Sequence, residues 1–213
     1  MLLPPTSLFT KILTFVFFLS LVANRAHADE SDWKLSSRSG GVEIYSRTRT
    51  GSQIKEFKAV GEINAAPKTV SNVLDDVASY AHFMPYIVEC RILSRDGDTL
   101  ISYQRLDPPL CSARDYTLRV RHEKRGNAFL TTWEPANDLG PAETPGVVRV
   151  KINEGSWLLE PLRENVTRAT YQIYTDSGGS LPAFVANKAN QVGISKLFDA
   201  VRKQAKDPKY LQK

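Results

Sequence analysis

Residues 180–206 read SLPAFVANKANQVGISKLFDAVRKQAK, a long segment near the end of the chain whose apolar side chains recur at helical spacing. Ile194, Leu197, Phe198 and Val201 fall at three- and four-residue steps, so a helix built here carries one apolar stripe. Ser180 is placed to cap it, and Pro182 fits its start, where a missing backbone N–H costs nothing. Such a stripe needs a surface to bury against, and the preceding sequence supplies one.

Working backwards, most of the chain is strand-like. RATYQIY (168–174), SWLLEPL (156–162), VVRVKIN (147–153), AFLTTWE (128–134) and YTLRVRH (116–122) are short runs rich in β-branched and aromatic residues. A Gly- and Pro-rich loop, Asp138 to Gly146, interrupts them. LISYQRL (100–106) and IVECRIL (87–93) flank Arg95-Asp96-Gly97-Asp98, a good hairpin turn. IKEFKAVGEIN (54–64) and VEIYSRT (42–48) flank a Thr-Gly-Ser turn at Gly51. In YTLRVR, Tyr116, Leu118 and Val120 share one face while Thr117, Arg119 and Arg121 share the other. Val148, Val150 and Ile152 repeat that pattern against Arg149 and Lys151. One-sided strands of this kind make an antiparallel sheet with one face in water.

A second helical period lies between the strands. In APKTVSNVLDDVASYAHFMP (66–85), Val70, Val73, Leu74, Val77 and Ala81 line one helix face, Pro67 suits the first turn and Pro85 marks the stop. The expected fold class is α+β: a bent antiparallel sheet covered by the terminal helix, with space between them that need not fill with side chains.

The first 28 residues read as an export signal rather than as part of this domain. Lys11 supplies positive charge, Ile12 to Val22 is a short apolar run, and Ala26-His27-Ala28 is a small-x-small cleavage site. The alternative is a retained anchor, for which the apolar run is short. Cleavage near Ala28 leaves a single domain, 29–213, in the periplasm or secreted. Loss of Lys11 and Arg25 takes the formal charge from +5 to +3. Arg119, Arg121, Lys124 and Arg125 alternate with apolar or acidic neighbours, so no concentrated basic stripe marks a nucleic-acid partner.

Export places Cys90 and Cys111 in an oxidising compartment, where a disulfide is favoured over free thiols. Their separation does not fit a zinc knuckle, and no metal or cofactor site is expected. His82 ends the first helical segment with no nucleophile or second ligand near it in sequence, and reads as a partly exposed capping residue. Asp75 and Asp76 diverge as helix neighbours, which suits a solvated turn. Asn165-Val166-Thr167 is a glycosylation sequon whose use depends on the host. Among general catalytic patterns, no phosphate loop, nucleophile elbow or Cys-His couple is legible.

At DPPLCSARDY (107–116) the chain resembles the START family, the lipid-transfer domains related to steroidogenic acute regulatory protein, within the helix-grip superfamily. Pro108-Pro109 followed by Ser112-x-Arg114-Asp115-Tyr116 is similar to the family's S-x-R-D-aromatic signature. Leu74-Asp75-Asp76 to Tyr80, Phe83, Met84 and Pro85, then Gly155-Ser156-Trp157-Leu158-Leu159, then Tyr171 to Asp176-x-Gly178-Gly179-x-Leu181-Pro182 keep the family's order. The resemblance implies a helix-grip fold: a curved antiparallel β-sheet wrapped around a long C-terminal α-helix, with a hydrophobic cavity between them that binds one lipid without metal or cofactor. Some family members place a buried arginine six residues beyond the motif arginine. Here that position is Val120.

Within this frame Arg114 and Asp115 are expected to be structural, since adjacent strand residues face opposite ways and do not converge on one substrate. Cys111 tied to Cys90 would constrain the same approach. The residues expected to line the cavity are Tyr103, Tyr116, Leu118 and Val120, with Trp133, Val150, Trp157 and Tyr171 from the following strands. Phe184, Val185 and Phe198 complete the set from the helix. Tyr103, Tyr116 and Tyr171 each bring one hydroxyl to an apolar wall, enough to orient a hydroxylated lipid.

The expected protein is a non-catalytic, monomeric binder of a lipid or other hydrophobic small molecule. It would touch membranes transiently, with Gly140 to Gly146 or Gly178-Gly179 opening as a lid. Two alternatives are an aromatase/cyclase enzyme using the same cavity, with a perturbed group such as Arg105 beside Tyr103, and a chaperone that presents a lipid or quinone to a membrane enzyme.

Overall fold

The structure, a computed structural model, describes residues 32–109, 111–179 and 181–211. The expected export signal, 1–28, and the expected cap Ser180 lie outside the described residues. Ten strands form one sheet: β1 (Lys34–Ser39), β2 (Val42–Thr48), β3 (Lys55–Ile63), β4 (Ile87–Asp96), β5 (Thr99–Leu106), β6 (Arg114–Arg125), β7 (Ala128–Pro135), β8 (Val148–Arg149), β9 (Ile152–Arg163) and β10 (Val166–Asp176). The helices are α1 (Pro67–Asp75), α2 (Tyr80–Phe83) and α3 (Ala183–Gln204).

The sheet order is β1-β2-β3-β10-β9-β7-β6-β5-β4, with antiparallel neighbours throughout, and β8 adds a short parallel pairing to β6. β1 to β3, β4 to β7 and β9 with β10 pair with their chain neighbours, while β3 meets β10 and so joins the first strands to the last. This is the expected α+β helix-grip architecture, a curved antiparallel sheet gripping a C-terminal helix.

The apolar stripe of α3 packs as its period requires. Ile194, Phe198 and Val201 are buried with Val42, Ile44, Phe57 and Ala59 of β2 and β3, and with Val70 and Val73 of α1. Close approach needs Gly61, because a Cβ there would sit 3.0 Å from the Phe198 ring. A second cluster, Val77, Leu100, Leu118 and Val120, forms where β5 and β6 meet the segment after α1. After α3 the chain turns into a 3₁₀ helix, Pro208–Tyr210, and Tyr210 is buried against α1. Its backbone carbonyl accepts from Asn72 Nδ2 at 3.0 Å, and its hydroxyl donates to Asp76 Oδ2 at 3.0 Å.

Three expectations about elements are corrected. The helix expected through Ala81 breaks at Asp76, whose ψ of 57° leaves the helical region; a 3₁₀ turn, Val77–Ser79, and then α2 follow, and Ala81 is exposed. The Asp76 carboxylate accepts from Ser79 Oγ, Lys209 Nζ and Tyr210 Oη, so tertiary hydrogen bonds fix the break. Second, VVRVKIN is not one strand: β8 covers two residues, and β9 begins at Ile152 and runs on through SWLLEPL. Third, Arg149 is not on a solvated face, because it folds onto Asp115 with its side chain 7% exposed. The first strand, KLSSRS, lacks an alternating apolar pattern and is an exposed edge held by pairing with β2.

Candidate ligand cavity

Between the sheet and α3 lies a cavity of about 330 Å³. Tyr116, Leu118 and Val120 of β6, Trp133 of β7, Val150, Trp157 of β9 and Tyr171 of β10 all line it. These are the inward positions that strand alternation assigned, now brought to one wall. Trp133 stacks on Tyr171 with centroids 5.7 Å apart, and Tyr171 leans on Trp157 at 4.7 Å. The facing wall comes from α3, through Ala189, Asn190, Gly193, Ile194 and Leu197.

Four expected lining residues lie elsewhere. Tyr103 pairs with Thr117, so it shares the opposite face of the sheet, and its hydroxyl donates to Asp115 Oδ2 at 3.1 Å. Phe198 is fully buried in the main core against Trp157. Phe184 is 75% exposed and Val185 36%, both in the first turn of α3, ahead of the buried stripe that begins at Ala186.

Arg114 and Asp115 diverge, as strand geometry demands. Arg114 Nε donates to Ser177 O at 3.1 Å and another of its nitrogens donates to Ser112 O, which ties the start of β6 to the segment after β10. Asp115 is taken by Arg149 on the other face. Both contacts tie β6 to neighbouring segments. Arg149 also donates to the carbonyls of Pro141 and Ala142, so the loop expected to act as a lid is tethered through the same guanidinium.

The expected disulfide is not formed; both thiols are free. Cys90 sits on β4, where it packs beside the Val77–Leu118 cluster, and burial pushes its thiol up to about 12. Cys111 stands at the cavity rim in the approach to β6, its sulfur 3.9 Å from Pro108 O. The two side chains serve different surroundings. His82 is exposed in the last turn of α2, and no cluster of three metal-ligating side chains occurs among the described residues.

The polar atoms of the wall form a chain that sequence reasoning missed. Trp133 Nε1 donates to Asn153 Oδ1 at 3.0 Å, and Tyr116 Oη donates to Gln104 Oε1 at 3.2 Å. Burial drives the Tyr116 hydroxyl's pKa well up, and a hydrogen bond from Asn153 offsets only part of that rise. Burial likewise raises Tyr171, with Tyr116 adding to it. Both hydroxyls therefore stay protonated and neutral near pH 7. Arg114 is the one charged side chain among the described lining residues. Gln104 is legible in the sequence as a polar residue two along from Ser102 on the face of Leu100, whereas Asn153 is not: the run VVRVKIN puts Ile152 inward, and the break before β9 reverses that, leaving Ile152 exposed and Asn153 facing the cavity.

Residues 63–202 match the family described as polyketide cyclase / dehydrase and lipid transport. An uncharacterised protein of Pseudomonas aeruginosa is 31% identical over 167 residues, covering 78% of this chain and 82% of the relative. Human phosphatidylcholine transfer protein is 23% identical over 171 residues, 77% of this chain and 79% of that one. Among solved structures, a STAR-related lipid transfer protein from Xanthomonas axonopodis superposes with a TM-score of 0.74 at 27% identity, covering 83% of this chain and 99% of the other. With the gripped helix, the cavity beneath it and the Arg114-Asp115 clamp in place, the chain belongs to the polyketide cyclase/dehydrase and lipid transport family, in its START-like branch.

Proposed function

We propose that this protein is an exported, non-catalytic carrier that binds one hydrophobic molecule between its sheet and α3 and transfers it between membranes. The observation that carries the reading is the cavity, about 330 Å³ and walled by apolar and aromatic side chains. Burying a hydrocarbon chain there gains about 0.8 kcal/mol per methylene, which reaches micromolar affinity with little polar help. Similarity to lipid transfer proteins across most of the chain supports hydrophobic ligand binding. The leader-like sequence pattern of residues 1–28 supports export to the periplasm or beyond, and the monomer is the proposed working unit. Release requires the rim to open, at residues 140–146 or at Gly178-Gly179, where the Arg149 and Arg114 tethers now hold it.

The family description also names cyclases, so an aromatase/cyclase activity is the second reading. Cyclisation of a polyketide needs a base able to take a proton near neutral pH. The cavity tyrosines have raised pKa values and are poor bases, which favours the carrier. Native mass spectrometry of the mature protein from the exporting compartment, with organic extraction, decides the matter. A stoichiometric hydrophobic molecule recovered intact is the expected result. A protein that stays apo across several hosts and added lipid mixtures, or one that converts its guest, overturns the carrier.

A further inference from the structure

One atom on the helix wall stands out from the satisfied chain opposite. Asn190 lines the cavity from α3, and its Nδ2 is buried with no hydrogen-bond partner. A buried amide donor left unpaired is unfavourable, and the imbalance is relieved by any acceptor that arrives with the guest. Across the cavity the sheet wall offers Gln104, Tyr116 and Asn153, all neutral and largely occupied with one another. The guanidinium of Arg114 donates to two backbone carbonyls, which are neutral, so its positive charge stays on the cavity wall. A cationic headgroup entering this space would lose water and meet a like charge, which is unfavourable. Volume narrows the guest further, since about 330 Å³ is near the lower end of ligand pockets and suits one chain or one ring body better than two chains.

We propose that Asn190 is the polar anchor of the ligand, and that the preferred guest has a single hydrocarbon body and one hydroxyl or carbonyl oxygen, which accepts from Asn190 Nδ2. This rests on the carrier reading and narrows it to a ligand class. The guest's oxygen replaces the partner that Asn190 lacks, while the aromatic wall of Trp133, Tyr171 and Trp157 covers its apolar body.

The test is a displacement assay with a solvatochromic fluorescent probe bound to the mature protein. The competitors are 1-tetradecanol, tetradecane, myristate and vesicles of dimyristoyl phosphatidylcholine. The alcohol is expected to bind about tenfold more tightly than the alkane, the size of one satisfied buried donor. Asn190→Leu keeps the helix and removes the amide, so it erases that preference, read as the ratio of alcohol to alkane affinity within each protein. Asn190→Ser keeps a donor, retains part of the preference, and serves if the leucine variant melts early. Equal affinities for alcohol and alkane, an alcohol preference that survives in Asn190→Leu, or tighter binding of myristate or phosphatidylcholine overturns the anchor. In each of those cases the carrier stands. Failure of the probe and all four competitors to bind brings down both.

Discussion

Arg149 grips Asp115 with two parallel hydrogen bonds, Nε to Oδ1 at 2.7 Å and Nη2 to Oδ2 at 3.0 Å, at the point where β8 runs beside β6. The side chains are 7% and 1% exposed, so this is a buried pair rather than surface decoration. Tyr103 adds a third donor to the carboxylate, and Asp115 in return holds the guanidinium's pKa up. The pair also anchors residues 141–142, so it couples the strand to the neighbouring loop.

Removing one partner leaves the other charged and buried without compensation. Asp115→Ala is therefore expected to cost about 3–5 kcal/mol in urea unfolding. The double change Asp115→Leu with Arg149→Met, which leaves no orphan charge, is expected to cost less than Asp115→Ala alone. A single-site loss under about 1 kcal/mol would show that the fork contributes no more than a surface pair.

His122 gives a pH dependence with a defined sign. Burial lowers its pKa, Asp75 partly opposes the shift, Arg95 adds to it and Asp98 opposes it. Nδ1 faces Thr131 Oγ1 at 3.1 Å and Nε2 faces Asp75 Oδ1 at 3.2 Å. Because the folded pKa lies below the ordinary value of about 6.5, the unfolded chain binds more protons just beneath that value. Stability should fall as pH drops through about 6.5 and level off only below the folded pKa. Urea midpoints at pH 7.5, 6.5 and 5.5 measure it, and His122→Gln should flatten the slope. An unchanged slope in that variant assigns the effect to other groups.

Asp76 makes a second, more acidic window. Burial works to raise its pKa, but hydrogen bonds from Lys209, Ser79 and Tyr210 outweigh it and hold the carboxyl below its ordinary value. A depressed folded pKa contributes stability that is present above the unfolded value of about 3.9 and is lost as pH falls through the folded one. Asp76→Asn should accordingly lower the melting temperature at pH 7, with the gap to the unmodified protein closing below about pH 4. A gap that is the same at pH 7 and pH 3 means that packing, not charge, ties Tyr210 to α1.

What the sequence disclosed follows from period. The stripe Ile194, Leu197, Phe198 and Val201 could only be one helix face, and the alternation of Tyr116, Leu118 and Val120 could only be one strand face. Period says which side chains share a face, but not what lies opposite. Tyr103 has the look of a cavity residue, yet its register opposite Thr117 puts it on the other side. Arg149 sits in an alternating run and reads as solvated until the parallel pairing with β6 brings Asp115 beside it. Asp76 breaks a helix through partners more than a hundred residues away, which no local pattern encodes. Asn190, a polar residue on a helix of mixed character, acquires meaning only when the cavity closes around it.

Gly155 tests the aromatic wall. It sits on β9 opposite Trp133, and a Cβ there would lie 2.2 Å from Gln172 O and 2.5 Å from the Trp133 ring. The first of these atoms is backbone in the middle of a ladder and cannot step aside cheaply. Gly155→Ala is expected to destabilise by about 1–3 kcal/mol, as overpacking does, and to change Trp fluorescence in the folded state. A variant with native stability and emission would mean that β9 and β10 separate more readily than their pairing implies.

Gly193 separates stability from function. It lies on α3, it lines the cavity, and a Cβ built on it meets nothing within 4 Å. A glycine inside a helix costs about 0.5–1 kcal/mol relative to alanine, so Gly193→Ala should raise the melting temperature while leaving room for a guest. Gly193→Leu gains the same helix propensity but directs a branched side chain into the space the guest needs. Its expected signature is a melting temperature at or above that of the unmodified protein together with loss of hydrophobic probe binding. If Gly193→Leu melts normally and still binds the probe with unchanged affinity, the guest does not occupy the space between α3 and the sheet.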